Sequence, residues 1–248
     1  MSILEVKNIN KQYSSRGRSI AALRDVSLSL EEGELLGVVG ESGSGKSTLL
    51  RVISGLEAPD SGKLCCRGAE LGARRSRSEL RLMQMIFQDA AGSFQPRRRI
   101  RSSIQDSVKS LLGRSKAVDM AALCALVGLD AEFAARYPGE LSGGQCQRFA
   151  IARAVAVEPQ ILLCDEITSA LDVSTQAQVL ALIRSICSRR NMSVLFVSHD
   201  LAVVSELCSR VIVMKDGKIV EGGNTAEIIS HPRHEYTKAL LSSVMEIK

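Results

Sequence analysis

Nine consecutive residues, Gly40-Glu41-Ser42-Gly43-Ser44-Gly45-Lys46-Ser47-Thr48, carry the densest chemical information in this chain. They fit the pattern G-x-x-x-x-G-K-[ST], whose chemistry is the binding of nucleotide phosphates. The three glycines open backbone conformations closed to other residues, so several N–H groups can converge on one anion. Lys46 is spaced to reach the β and γ phosphates, and the Ser47 hydroxyl to ligate Mg²⁺. Two more carboxylates follow the apolar run 161–164. Asp165 suits Mg²⁺, bound directly or through water. Glu166 suits orienting or deprotonating the attacking water. His199 follows another apolar run, and two readings of it stand side by side: a structural histidine, or a group that reaches a γ-phosphate. Leu141-Ser142-Gly143-Gly144-Gln145 opens a helix whose N-terminus is ready for an anion, a weaker signal because Ser and Gly commonly start helices.

These groups need elements to position them. Residues 34–39 read as a buried strand and 47–53 carry the apolar spacing of a helix, so phosphate would sit at a helix N-terminus. In open α/β sheets ligands gather at the carboxyl ends of the strands, which places Asp165, Glu166 and His199 opposite Lys46. Alternation over 3–10 and 22–30 predicts two or three antiparallel strands before the phosphate loop, joined by a turn at 14–19. Tyr13 stands just before that turn; by position it reads as an ordinary strand residue, the alternative being a ring that stacks on a base. A short strand is expected at 63–67 and an apolar strand at 83–87, ending at Gln88. Arg74, Arg75, Arg77 and Arg81 mark a solvated face. From 90 to 157 the pattern turns helical, with helices at 100–112, at 117–129 (stopped by Gly128) and from the Ser-Gly-Gly stretch to 157. This predicts one domain in which 1–88 and 158–248 form the core and 89–157 a helical subdomain. Arg97, Arg98, Arg99 and Arg101 are its densest charge, either solvated or a docking surface. A helix at 173–189, a strand at 193–197, a hairpin around Asp216-Gly217 and helices at 225–230 and 235–244 complete the chain.

With 248 residues, 45% hydrophobic and 24% charged, the composition is that of a soluble globular protein. No apolar run approaches the roughly 20 residues needed to span a bilayer, and the N-terminus lacks the parts of a signal peptide, so a cytosolic chain is expected. Seven scattered cysteines form no C-x-x-C pair and read as reduced packing residues, and with three histidines no structural metal is expected. A net charge of +5 permits an acidic partner or lipid surface; without a clustered basic and aromatic face, nucleic acid is not expected.

In order, Gly40 to Thr48, Gln88, Leu141 to Gln145, Ile161 to Glu166, Ser169-Ala-Leu-Asp172 and His199 resemble the motif set of an ABC-type ATPase, over essentially the full chain. The resemblance implies an α/β fold: a RecA-like P-loop core with an antiparallel β subdomain and an inserted helical signature subdomain. It implies ATP and Mg²⁺ as cofactors, with ATP sandwiched between two head-to-tail subunits. Ser142, Gly143, Gly144 and Gln145 of one subunit would then meet the γ-phosphate held by the other. It further implies that Tyr13 stacks on adenine, Gln88 senses Mg²⁺ and water, Asp172 lies in a dimer-contact loop and His199 is a γ-phosphate switch.

Phe87-Gln-Asp89, Tyr137-Pro-Gly-Glu-Leu141, Leu171-Asp-Val-Ser-Thr-Gln176 and His231-Pro-Arg-His-Glu-Tyr-Thr-Lys-Ala-Leu-Leu241 are similar to ATPases of bacterial oligopeptide, dipeptide and nickel importers. That implies a peripheral subunit at the cytoplasmic face of the inner membrane. Its partners would be a second ATPase, non-identical or a second copy, two transmembrane permeases and, indirectly, an extracytoplasmic solute-binding protein. The cargo would be nickel, a metallophore or a di- or oligopeptide, and the short tail is similar to the nickel and metallophore ATPases. Three alternatives stand beside it: the ABC subunit of a soluble carbon–phosphorus lyase complex; a repair or translation ABC protein, against which a single compact cassette argues; and an exporter, since direction is not written in the cassette. Four positions depart from the usual pattern: Ala90, Cys146, Cys164 and Ile167. Cys146, at a helix start, is expected to have a depressed thiol pKa and hence redox sensitivity.

Overall fold

The computed structural model describes residues 1–15, 18–113 and 116–245. A long antiparallel hairpin comes first, β1 (Ser2–Ser15) and β2 (Arg18–Glu31), followed by β3 (Leu35–Val39) and α1 (Lys46–Ser54). The chain then returns as β4 (Ser61–Cys66) and β5 (Ala69–Glu70), which complete a four-stranded sheet ordered β2-β1-β4-β5. Both hairpin strands run well past their predicted ends. Sequence alternation breaks at bulges: β1 carries an extra residue between Val6 and Ile9, and β2 one between Leu23 and Val26. Asn8 and Asp25 take positive φ there and bond to each other, Asn8 Nδ2 donating to Asp25 Oδ1 at 2.7 Å. A bulge of this kind resets which face the apolar residues occupy, so the strand continues where simple alternation stops. Of the expected turn at 14–19, residues 16 and 17 lie outside the described residues.

After α2 (Arg77–Leu82), the strand β6 (Met83–Ile86) joins the second sheet. The helices α3 (Ile100–Leu112), α4 (Met120–Leu126) and α5 (Gly143–Val155) follow, and then β7 (Ile161–Asp165), which lies beside β6 and parallel to it. α4 is shorter than its apolar pattern predicts. Asp119 accepts the Ala122 N–H at 3.0 Å and starts the helix late, while Gly128 at φ 66° diverts the chain after it. The long α6 (Val173–Arg190), β8 (Ser193–Ser198), α7 (Leu201–Leu207), β9 (Arg210–Lys215), β10 (Lys218–Asn224), α8 (Thr225–Ser230) and α9 (Glu235–Met245) complete the order. α7, begun by the Asp200 side chain, is only seven residues long, too short for its apolar spacing to announce a helix.

The six-stranded sheet is ordered β10-β9-β3-β8-β7-β6, parallel throughout except for the β9–β10 hairpin. β7 and β8 are buried along their whole length because both faces are covered, and they are apolar except at their ends, at Asp165, Ser193 and Ser198. Leu195 and Val197 of β8 face one side, with α1 and the antiparallel sheet; Val194 and Phe196 face the other, with α5, α6 and α7. All four departing residues, Ala90, Cys146, Cys164 and Ile167, are buried in this second cluster. Among the described residues no helix is long and apolar enough to cross a membrane.

Candidate nucleotide-binding and hydrolysis site

The phosphate loop joins the carboxyl end of β3 to the N-terminus of α1. Gly45 is the first residue outside that helix at φ 105°, and a Cβ there would lie 2.5 Å from the Ala22 carbonyl oxygen. At Gly40 a Cβ would lie 2.2 Å from the Met214 carbonyl oxygen. The loop is thus wedged between β2 and β9, which only glycine permits at these two points. The tip of the β9–β10 hairpin tightens it: the Gly217 N–H donates to the Ser44 carbonyl at 3.0 Å, and the Arg24 N–H to the Gly217 carbonyl at 2.8 Å.

Around the loop lies a cavity of about 400 Å³ lined by Ser42, Gly43, Gly45, Lys46, Ser47, Thr48, Gln88 and Glu166, and on its far wall by Ile20, Ala21, Ala22, Arg24 and Asp216. Lys46 is 3% exposed and donates to the Gly40 and Glu41 carbonyls at 2.7 and 2.8 Å. Burial holds its ammonium below the ordinary lysine value, against the opposing pull of Glu166, whose Oε1 lies 3.6 Å away. Ser47 Oγ donates to Asp165 Oδ1 at 2.8 Å. Burial raises the Asp165 carboxyl above its usual value, and the Ser47 hydrogen bond works the other way.

Glu166 sits at φ 46°, a left-handed conformation uncommon outside glycine. Its N–H donates to the Val197 carbonyl at 3.1 Å and its own carbonyl accepts from Ser169 Oγ at 2.9 Å, so the sharp turn after β7 is held from two sides. The turn aims the carboxylate inward, where Oε2 meets His199 Nδ1 at 3.2 Å. Strain of this type concentrates where chemistry demands one geometry. Gln88 is exposed, its Nε2 donating to Ser169 Oγ at 3.2 Å. Ser169 thereby ties Gln88 to Glu166, a link the sequence reading lacked. No spacing rule announces such a link, because 81 residues separate the partners.

Lys46, Ser47, Gln88, Asp165, Glu166 and His199 are therefore gathered at one edge of the sheet. Tyr13 lies nearby but lines no part of the cavity: the residue is 36% exposed and its hydroxyl donates to Glu57 Oε2. Glu41 is exposed at the loop's rim, and its N–H donates to the Tyr236 hydroxyl at 2.8 Å. Ser44 is buried, its Oγ without a hydrogen-bond partner among the described residues.

Of the second predicted phosphate surface, Gly143 shares a neighbouring cavity of about 390 Å³ with Gln88. Ser142 Oγ accepts the Gln145 N–H at 3.2 Å and Gln145 Oε1 accepts the Ser142 N–H at 3.0 Å, a capping box that opens α5 with Gly143 exposed and Gly144 half-buried. Asp172 caps α6 through Thr175, whose hydrogen bonds hold its carboxyl below the ordinary value. Neither Ser142–Gln145 nor Asp172 lines the cavity at the phosphate loop. The expectation for Cys146 is overturned: its side chain is 2% exposed, its thiol donates to the Pro138 carbonyl, and burial pushes its pKa up. Desolvation of the thiolate outweighs the helix N-terminus here.

The ABC transporter family matches residues 23–169, and the oligopeptide/dipeptide transporter C-terminal region matches residues 220–248. Over 247 residues the chain is 42% identical to the oligopeptide transport ATP-binding protein OppF of Haemophilus influenzae, covering 97% of this chain and 74% of the relative. A putative peptide import ATP-binding protein of Brucella ovis is 40% identical over 98% of this chain and 78% of its own. The methionine import ATP-binding protein MetN 3 of Oceanobacillus iheyensis is 39% identical over 98% and 72%. Among solved structures, a dimeric post-hydrolysis state of the ATP-binding cassette MJ0796 bound to ADP and Pi superposes with a TM-score of 0.78 at 29% identity, covering 90% of this chain and 98% of that one. The fold is also that of cbiO1 from Clostridium perfringens, with a TM-score of 0.80 at 23% identity over 99% and 97%. The chain belongs to the ABC transporter ATP-binding family, as an ATP-hydrolysing subunit that carries the oligopeptide/dipeptide transporter C-terminal region.

Proposed function

We propose that this chain binds MgATP at the phosphate loop and hydrolyses it as one of two head-to-tail ATPase subunits that drive import of a di- or oligopeptide through two membrane permeases. One observation supports this best. Lys46, Ser47, Gln88 and Glu166 line one cavity, with Asp165 bonded to Ser47 and His199 to Glu166, while Ser142–Gln145 and Asp172 do not line it. A site complete within one chain would need no second phosphate surface, whereas a paired arrangement gives each surface a use. Phosphoryl transfer asks the protein chiefly for positioning and charge neutralisation. Lys46 keeps the Gly40 carbonyl and turns its other two N–H donors to the β and γ phosphates, Glu166 orients or deprotonates the water, His199 holds Glu166 and meets the γ-phosphate, and Tyr13 stacks on adenine. The paired oxygens of Ser47 and Asp165 suit Mg²⁺, which favours oxygen donors and keeps several waters. When bound, the ion would neutralise charge on the β and γ phosphates. The division into a 1–88 and 158–248 core with a helical 89–157 subdomain is read as part of the same design, the helical part carrying the signature residues to the partner's ATP.

Peptide is favoured over nickel or a metallophore because relatives reported above are named for oligopeptide or peptide transport. Their transport names also favour an importer at the cytoplasmic membrane face over the phosphonate complex. The test is affinity purification of the tagged Glu166→Gln chain from detergent-solubilised membranes with ATP present. Recovery of a second ATPase with two permeases supports the proposal; recovery of soluble proteins alone overturns the importer while leaving the ATPase standing.

A further inference from the structure

Residues 231–241 lie outside the chemistry described so far, yet the structure brings one of them to the phosphate loop. Tyr236, in the first turn of α9, is 7% exposed, and its hydroxyl accepts the Glu41 N–H at 2.8 Å. The Glu41 N–H and the Gly40 carbonyl are opposite edges of one planar peptide unit. That Gly40 carbonyl accepts Lys46 Nζ at 2.7 Å. Turning the plane to release the tyrosine therefore turns the lysine's acceptor as well.

The tyrosine is itself held on several sides. The Glu221 carboxylate of β10 accepts the Arg233 and His234 N–H groups at 2.8 and 3.0 Å, which fixes where α9 begins. His234 Nδ1 accepts the Tyr236 N–H at 3.1 Å, and the Lys215 ammonium lies 4.8 Å from the ring centre. Leu240 and Leu241 seat the same helix in the main core cluster. A rigid phenol is thus presented to a loop that is otherwise rich in glycine.

We propose that Tyr236 is a positioning residue of the nucleotide site, its hydroxyl fixing the 40–41 peptide so that Lys46 is held ready for the phosphates. This rests on the assignment of Lys46 to ATP. Preorganisation of this kind lowers the ordering cost of binding and leaves the chemical step alone, so its signature is in KM rather than kcat.

The test is steady-state ATPase kinetics and thermal melting of the full chain as Tyr236→Phe, Leu241→Ala and Lys46→Ala. Tyr236→Phe removes only the hydroxyl; the expected result is a KM for ATP raised about fivefold, the worth of one neutral hydrogen bond, with kcat unchanged within about twofold. Leu241→Ala loosens the packing of α9 without touching the hydroxyl and is expected to lower the melting temperature more while leaving KM near native. An unchanged KM in Tyr236→Phe, or an equal rise in Leu241→Ala, overturns the proposal, since the helix would then act only as general support. Lys46→Ala separates the two levels: native ATP affinity in that variant removes the site assignment itself, whereas lost affinity there beside an unaffected Tyr236→Phe removes only the role of the tyrosine.

Discussion

Replacing Glu166 by Gln tests the active-site reading with two effects of opposite sign. The substitution keeps the shape of a side chain that is 16% exposed and removes its charge. Glu166 Oε1 lies 3.6 Å from Lys46 Nζ and Oε2 lies 3.2 Å from His199 Nδ1, so the carboxylate competes with an incoming γ-phosphate for both groups. The Coulomb attraction to Lys46 at that distance is of the order of 4–5 kcal/mol in an effective dielectric of about 20. Exchange with water reduces a charged hydrogen bond to a net of about 1.5–3 kcal/mol. Only part of that is lost when ATP displaces the carboxylate, so ATP should bind about tenfold more tightly to Glu166→Gln. Hydrolysis should fall by about 10²–10⁴, the usual contribution of a positioned acid–base group. Equilibrium titration with ATP in EDTA and single-turnover hydrolysis with Mg²⁺ measure the two effects separately. Hydrolysis within tenfold of native, or a loss of hydrolysis that parallels a loss of ATP affinity, would show that Glu166 is not the group that handles the water.

Asp165→Asn should divide stability from activity. Burial holds the Asp165 carboxyl above its unfolded value, so its ionisation costs stability as pH rises from the unfolded value through the folded one and at all higher pH. The variant without nucleotide or Mg²⁺ should therefore melt higher than native at neutral pH, with the gain vanishing below the unfolded value, while Mg²⁺-dependent hydrolysis falls by about 10² or more. Tyr13→Ala should weaken ATP binding about tenfold, the worth of one base–aromatic stack, and Tyr13→Phe should stay near native although it loses the bond to Glu57; equal loss in both would shift the role from ring to hydroxyl. In alkylation of the native chain followed by intact mass, Cys65, half-buried where the other six cysteines are buried, should react first, and Cys146 only on unfolding.

Local chemistry was legible wherever it depended on neighbours in the chain. The phosphate loop, the apolar strand before Asp165 and the capping box of Ser142 and Gln145 are each determined by residues within a few positions of one another. The same holds for α3, whose predicted and observed bounds coincide because its apolar positions Ile100, Ile104 and Val108 repeat at helical spacing. The bulges of β1 and β2 were hidden because Asn8 and Asp25 reset the pattern through a side chain on the partner strand. Cys146 misled for a related reason: its place at a helix start is a local fact, whereas its burial in the core cluster is not.

The sequence by itself determined which groups could bind phosphate, hold a divalent cation and handle water, since types and short spacings specify those abilities. Tertiary structure alone decided which of them meet. It placed Lys46 beside Glu166 and Ser47 beside Asp165, tied Gln88 to the same turn through Ser169, kept the Ser142 helix start away from that cavity, and carried Tyr236 to Glu41. Such contacts depend on strand order and on the wedging of a glycine loop between two sheets, and these follow from how the whole chain buries its apolar surface rather than from any short segment of it.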